Sequence, residues 1–316
     1  SLPQYKITES EQDSLSYNAA FIKFSEQDYQ ISKIAFKKYV NQFSDGIFVD
    51  DAYFYLALSN NNLGDSIETN QCFQYIVDNN VSQYLERALI HLARIFYSQE
   101  DFLSSNNFYD QLESIASSNS IKREVIIRLM YGYELIDIEK SVKYAKEVLQ
   151  MEKIDNWLIS KANIIISRLD FDNGNYNKAK KIFREIVSID NNTDGAEAMY
   201  MLIYLTYLDD SLDLAEKMIF EMPESFSDDY YIAKAFILLS DIYVSRDNVF
   251  QAKATLESII ENYNGKELKL IAQKKREKIL ESGIVVDSKK MEISYIDIFE
   301  DEVEYELIQI NNDTID

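Results

Sequence analysis

A small residue recurs down this chain at spacings of 36 to 38: Ser32, Thr69, Ser105, Ser141, Ala179, Ala215 and Ala252. Four residues after each stands Phe36, Phe73, Tyr109, Ala145, Phe183, Ile219 or Leu256, and seven after stands Tyr39, Ile76, Leu112, Val148, Ile186, Met222 or Ile259. Positions i, i+4 and i+7 share one helix face, so each copy reads as a helix with a small contact point flanked by bulky apolar groups. Twelve residues before each small residue stands Ala20, Ala57, Ala93, Leu129, Ser167, Ile203 or Ser240. These fall on a preceding helix, where small side chains let a pair close. The larger Leu129 and Ile203 imply wider or re-angled packing. A period of this length means stacked two-helix units, each resting on its neighbours, rather than one globular core.

The spacing predicts first helices over 14–26, 50–62, 83–98, 121–136, 157–172, 195–208 and 230–245. Second helices are predicted over 28–43, 65–79, 101–117, 138–151, 175–190, 211–222 and 248–263. Short polar clusters such as Asp78-Asn79-Asn80 and Asp190-Asn191-Asn192 separate the pairs and end helices. A Lys-rich segment, 266–282, suits a terminal capping helix with one wet side. Residues 1–13 are polar and read as a linker, and 14–282 as the array. Residues 283–316 lack the repeat and hold ten acids against two bases, mixed with Ile296, Phe299 and Tyr305. Such a composition is expected to order only on meeting a surface. Phe21 and Phe24, on a helix face that a free terminus normally keeps polar, lead to the expectation of further repeats upstream.

Composition supports an all-α reading, since 7 Gly and 2 Pro leave little material for tight β-turns. A net charge of −22 argues against general binding of a nucleic-acid backbone. One Cys and one His exclude a disulfide framework within the chain and Cys- or His-rich metal sites. No apolar run is long enough for a membrane span. No phosphate loop, nucleophile elbow or clustered acid–base set is present, so no catalytic, cofactor or metal residues are assigned.

Gly174-Asn175-Tyr176 followed by Ala179 and Phe183, and Leu56-Ala57 followed by Leu63-Gly64-Asp65, resemble the tetratricopeptide repeat (TPR) over about residues 14–264. The pitch here is longer than that family's, and its closing Pro is mostly missing. The resemblance implies a right-handed superhelical solenoid of about seven helix pairs that binds proteins or peptides. Two stretches, Phe36–Phe43 with Asp51–Ala57 and Phe236–Tyr243 with Gln251–Tyr263, look like the bacterial envelope branch of that family. That branch includes the Tol–Pal-associated periplasmic protein and long Bacteroidetes TPR proteins. It implies a scaffold in the periplasm or at the outer membrane. A cytoplasmic adaptor or regulator that binds peptides is the alternative, and an enzyme a third class.

In the TPR family the first helices form the inner wall. Carried over position by position, that wall includes Arg87, Arg94, Tyr97, Arg123, Tyr133, Lys161, Arg168, Phe171, Tyr200 and Tyr204. Cations interleaved with aromatic rings suit an acidic partner segment, because guanidinium forks hold carboxylates at two points. The chain's own acidic tail is one such segment. The plainer reading is that these cations pair with nearby acids and solubilise the face. Both readings stand on sequence alone. His91, Cys72 and Trp157 read as packing groups.

Overall fold

The computed structural model describes residues 8–282; residues 1–7 of the expected linker and the whole acidic tail lie outside them. The described residues form fifteen α-helices and no strand. They divide into two compact units that meet in sequence at Ile136 and Asp137.

Unit 1 holds α1 (Glu9–Ser25), α2 (Tyr29–Gln42), α3 (Val49–Asn62), α4 (Ser66–Asp78), α5 (Ser82–Ser98), α6 (Phe102–Ile115) and α7 (Asn119–Gly132). Unit 2 holds α8 (Ile138–Val148), α9 (Asn156–Asp172), α10 (Tyr176–Ile189), α11 (Thr193–Leu208), α12 (Leu212–Ser225), α13 (Asp229–Ser245), α14 (Val249–Asn262) and α15 (Lys266–Ser282). Within each unit consecutive helices pack as hairpins and each pair stacks on the next, a solenoid-type arrangement. The boundary between units falls inside the fourth expected pair, at the repeat where Leu129 replaces a small closing residue.

The repeat positions carry the packing. All seven small anchors are fully buried, as are the seven residues twelve positions before them. Phe36, Tyr109, Phe183 and Ile219, four residues after their anchors, are equally inaccessible. Burying such a side chain stabilises by about 1.5–3 kcal/mol, so this one register supplies much of the cohesion. Polar anchors find partners inside: Ser32 Oγ lies 3.0 Å from Ser59 Oγ, and Ser105 Oγ donates to the Ala93 carbonyl at 3.0 Å. Phe21 and Phe24 pack against Tyr55 of α3, each at 4.9 Å between ring centres, and so face the next pair.

The turns within six of the pairs share one design. Gln27, Gly64, Glu100, Gly174, Asp210 and Asp247 adopt φ between 58° and 76°. The residue after each donates its backbone N–H to a carbonyl five residues back, as Asp65 does to Asn60 and Asn175 to Asp170. This closes the first helix with a left-handed cap of the Schellman type. In four of these turns the same following residue, Asp28, Asp65, Asp101 or Asn248, caps the second helix with its side chain.

Four boundaries differ from expectation by three residues or more, one being the end of α8 at Val148 rather than 151. Helix α1 starts at Glu9, not Ser14, because Thr8 and Glu11 form a reciprocal capping box that draws this part of the expected linker into the helix. Helix α7 stops at Gly132, ahead of position 136, and Leu135 and Ile136 lie exposed beyond it. Helix α12 continues past position 222 to Ser225 with Pro223 in its last turn, where the missing N–H costs a single helical bond.

Candidate protein-binding face

The first helices of each unit carry the residues marked by the inner-wall positions. In unit 1, Arg87 of α5 is exposed and its guanidinium sits 4.9 Å from the centre of the Phe54 ring of α3. Phe54 is itself stacked on Tyr84 at 3.9 Å, so the cation rests on a fixed platform. Arg94 meets Glu124 of α7 as a fork, Nε to Oε1 at 2.7 Å and Nη2 to Oε2 at 2.6 Å. That bond holds the Glu124 carboxyl below the usual carboxylate range, against the opposing effect of burial. Tyr97 lies under the Arg128 guanidinium at 4.2 Å and edge-on to Phe102. Arg123 is half-buried. Tyr133 is buried at the end of α7, where its hydroxyl donates to Asp110 at 2.5 Å.

In unit 2 the arrangement turns on one carboxylate. Glu197 of α11 is 2% exposed. It accepts a fork from Arg168 of α9, Nε to Oε1 at 2.8 Å and Nη2 to Oε2 at 2.7 Å, and a third bond from the Tyr231 hydroxyl of α13 at 2.8 Å. Beside it, burial pushes the Asp194 carboxyl up to about 6, although Lys161 and Arg168 pull the other way. Lys234 of α13 is also buried; its ammonium donates to the Tyr230 hydroxyl at 3.1 Å and lies 5.6 Å from the centre of the Tyr200 ring. Phe171, Tyr200 and Tyr204 are 1%, 6% and 8% exposed.

The sequence-derived residues therefore separate into two groups. Arg87, Arg94, Tyr97, Arg123, Lys161 and Arg168 keep accessible surface, while Tyr133, Phe171, Tyr200 and Tyr204 are packed inside. Arg87, Arg94, Tyr97, Arg123 and Tyr133 lie in unit 1 and the other five in unit 2. Sequence reasoning missed the acids that organise the faces. Glu124 lies 30 residues after Arg94 and Glu197 29 after Arg168. That is one repeat less about two helical turns, a spacing that puts acid and base on facing first helices.

His91 is partly buried against Phe73, at 4.6 Å between rings, with Nε2 3.1 Å from Asn70 Oδ1; burial first, then Arg94, keeps it toward the neutral form. Cys72 is buried beside a depression of about 310 Å³ between α2, α3 and α4, and burial raises its thiol to about 12, so it is a poor nucleophile at neutral pH. Among the described residues no group of three or more His, Cys, Asp or Glu side chains could hold a metal ion. No described helix is long and apolar enough to cross a membrane.

No family model and no curated protein matches the sequence. Solved structures similar to the chain are TPR proteins. One, a tetratricopeptide repeat protein from Parabacteroides merdae, is 12% identical; the match covers 86% of this chain and 100% of that one, with a TM-score of 0.41. A second, YrrB, described as a TPR protein with an unusual peptide-binding site, is 16% identical over 64% of this chain and 97% of its own, with a TM-score of 0.43. A third, TTC0263 from Thermus thermophilus, is 13% identical over 62% and 98%, with a TM-score of 0.39. By its own helix pairing and buried repeat positions, the chain is an all-α protein of stacked helix pairs.

Proposed function

We propose that the chain is a protein–protein interaction scaffold whose first-helix faces take an acidic, aromatic-containing segment of a partner. The supporting observation is Arg87, held over the Phe54–Tyr84 stack with its guanidinium open to solvent. A planar cation pre-set on a ring loses little freedom on meeting a carboxylate and offers two parallel donors to it. Arg94 and Arg168 already hold carboxylates of their own chain, so in this reading they shape the face, and Arg87 meets the partner. The envelope-like stretches at Phe36–Phe43 and Gln251–Tyr263 favour a setting in the periplasm or at the outer membrane.

The test is quantitative affinity capture from the native cell, with the wild-type chain and an Arg87→Glu variant as baits. Partners that bind this face are expected to drop about tenfold on the variant, as reversal of a charge at the centre of the face costs about 1.4 kcal/mol or more. Equal recovery on both baits would refute the assignment of the face. Fractionation of the same cells tests the setting separately: a wholly cytoplasmic protein would keep the binding role and remove the envelope.

A further inference from the structure

Helix α15 presents a lysine-rich outer stripe, with the exposed acid Glu277 beside it. Lys266, Leu270, Lys274 and Lys278 recur every four residues and are all exposed, with Leu280, 57% exposed, alongside. Several cations elsewhere are tied down. Lys33 and Lys37 of α2 meet Glu68 of α4, and Lys180 of α10 meets Asp209. On α15 itself Lys275 is paired with Asp241 and Arg276 with Glu257, on its inward sides. Lys266, Lys269, Lys274 and Lys278 make no ion pair or hydrogen bond with a described residue. The inner face of α15 is ordinary core: Leu268 and Ala272 are buried with Leu256 of α14 and Ile237 of α13.

The chain continues directly from this helix into residues 283–316. Between Tyr295 and Leu307 that stretch reads Tyr-Ile-Asp-Ile-Phe-Glu-Asp-Glu-Val-Glu-Tyr-Glu-Leu, six acids and no base among apolar residues. Acids interleaved with large apolar groups complement a face on which three exposed lysines outnumber one exposed acid, Glu277, beside Leu270 and Leu280. Covalent attachment also gives this segment an effective concentration on the order of millimolar at the stripe, which a free partner would have to match. Length permits the return: α15 is about 25 Å long, and the residues before Tyr295 extend to about 40 Å.

We propose that residues 295–307 dock along the outer stripe of α15 in their own chain, with Glu300, Glu302, Glu304 and Glu306 against Lys266, Lys274 and Lys278, and Phe299 and Tyr305 against Leu270 and Leu280. Each exposed ion pair adds little by itself, so docking depends on several acting together with the apolar contacts. Salt weakens it for the same reason. The proposal is independent of the first-helix faces and of whatever they bind.

Zero-length carbodiimide coupling on the full chain tests it, with equal parts of nitrogen-15-labelled and unlabelled protein and mass spectrometry of the joined peptides. Docking is expected to join Lys266 and Lys274 to Glu300–Glu306 about as often as Lys278, which is nearer in sequence. The joined peptides should carry one isotope, and their yield should fall about fivefold between 0.05 M and 0.5 M salt, as expected for screened charges. A full-length Phe299→Ser/Tyr305→Ser variant, altered outside the fifteen helices, should lose a similar fraction. Mixed-isotope products would overturn the proposal in favour of a second copy. Coupling of the segment to Lys161 in preference to α15 would overturn it in favour of the first-helix face. A yield that simply decays with distance from Lys278, indifferent to salt and to the variant, would mean no docking.

Discussion

Replacing Glu197 by Gln tests whether a shared carboxylate holds the first helices of unit 2 together. The change keeps the shape of a side chain that is 2% exposed, but puts an amide donor where Arg168 and Tyr231 both donate. One arm of the Arg168 fork then faces another donor in either orientation of the amide, and the tyrosine hydroxyl does too when the NH2 takes the place of Oε2. Removing one partner of a buried charged pair typically costs 3–5 kcal/mol. Arg168 keeps 21% of its side chain in solvent, which lowers this, so about 2–4 kcal/mol is expected. Arg168→Met leaves Glu197 charged and short of its fork and should cost a similar amount. The double variant Arg168→Met/Glu197→Leu removes both charges and should cost clearly less than the sum, giving a coupling of about 1–3 kcal/mol. Urea unfolding followed by far-UV circular dichroism, with hydrogen exchange to locate the affected helices, provides the measurement. Additive single effects, or a loss below about 0.5 kcal/mol for Glu197→Gln, would show that the carboxylate is a bystander to packing.

Two further outcomes follow from local features. Asp194 binds its proton more readily folded than unfolded, so its contribution favours folding below about pH 4 and is lost as pH rises through about 6; Asp194→Asn should therefore raise stability at pH 7.5 by about 1–2 kcal/mol after allowance for its partial exposure, and the gain should vanish by pH 4 in urea titrations. A Cβ at Gly174 would have nothing within 4 Å, so Gly174→Ala isolates the cost of φ +74° and should lose about 1 kcal/mol, whereas Glu100→Gly, at φ +60°, should gain up to about 1 kcal/mol in the same assay.

The period was legible because burial is nearly all-or-none at its positions. Ala179, Phe183 and Ile186 are all fully inaccessible, and a residue that must fit a closed contact has few alternatives. The helix start after Asp65 was legible because repeat positions follow it closely, and the start after Thr8 was missed because the turn it caps, residues 9–13, carries no apolar residue. The face was legible only in part. Position marked Arg94 and Tyr133 alike, but whether a side chain points out or wedges between neighbours depends on the facing helix. Tyr133 reaches Asp110 and Arg94 reaches Glu124, contacts made across 23 and 30 residues of sequence.

The corners of the helix pairs bear on how much of this chain is specified by residue identity. At Gln27, Glu100, Asp210 and Asp247 the left-handed step is taken by a side chain that pays a steric penalty, and at Gly64 and Gly174 by one that does not. The corner is the same in all six because its hydrogen bond joins two main-chain groups, which every residue but proline supplies in full. A bend written in dihedral angles rather than letters leaves almost no signature in an alignment. Successive pairs can then diverge in nearly every exposed residue, each free to acquire its own contacts, while the angle at which one helix hands over to the next stays unchanged.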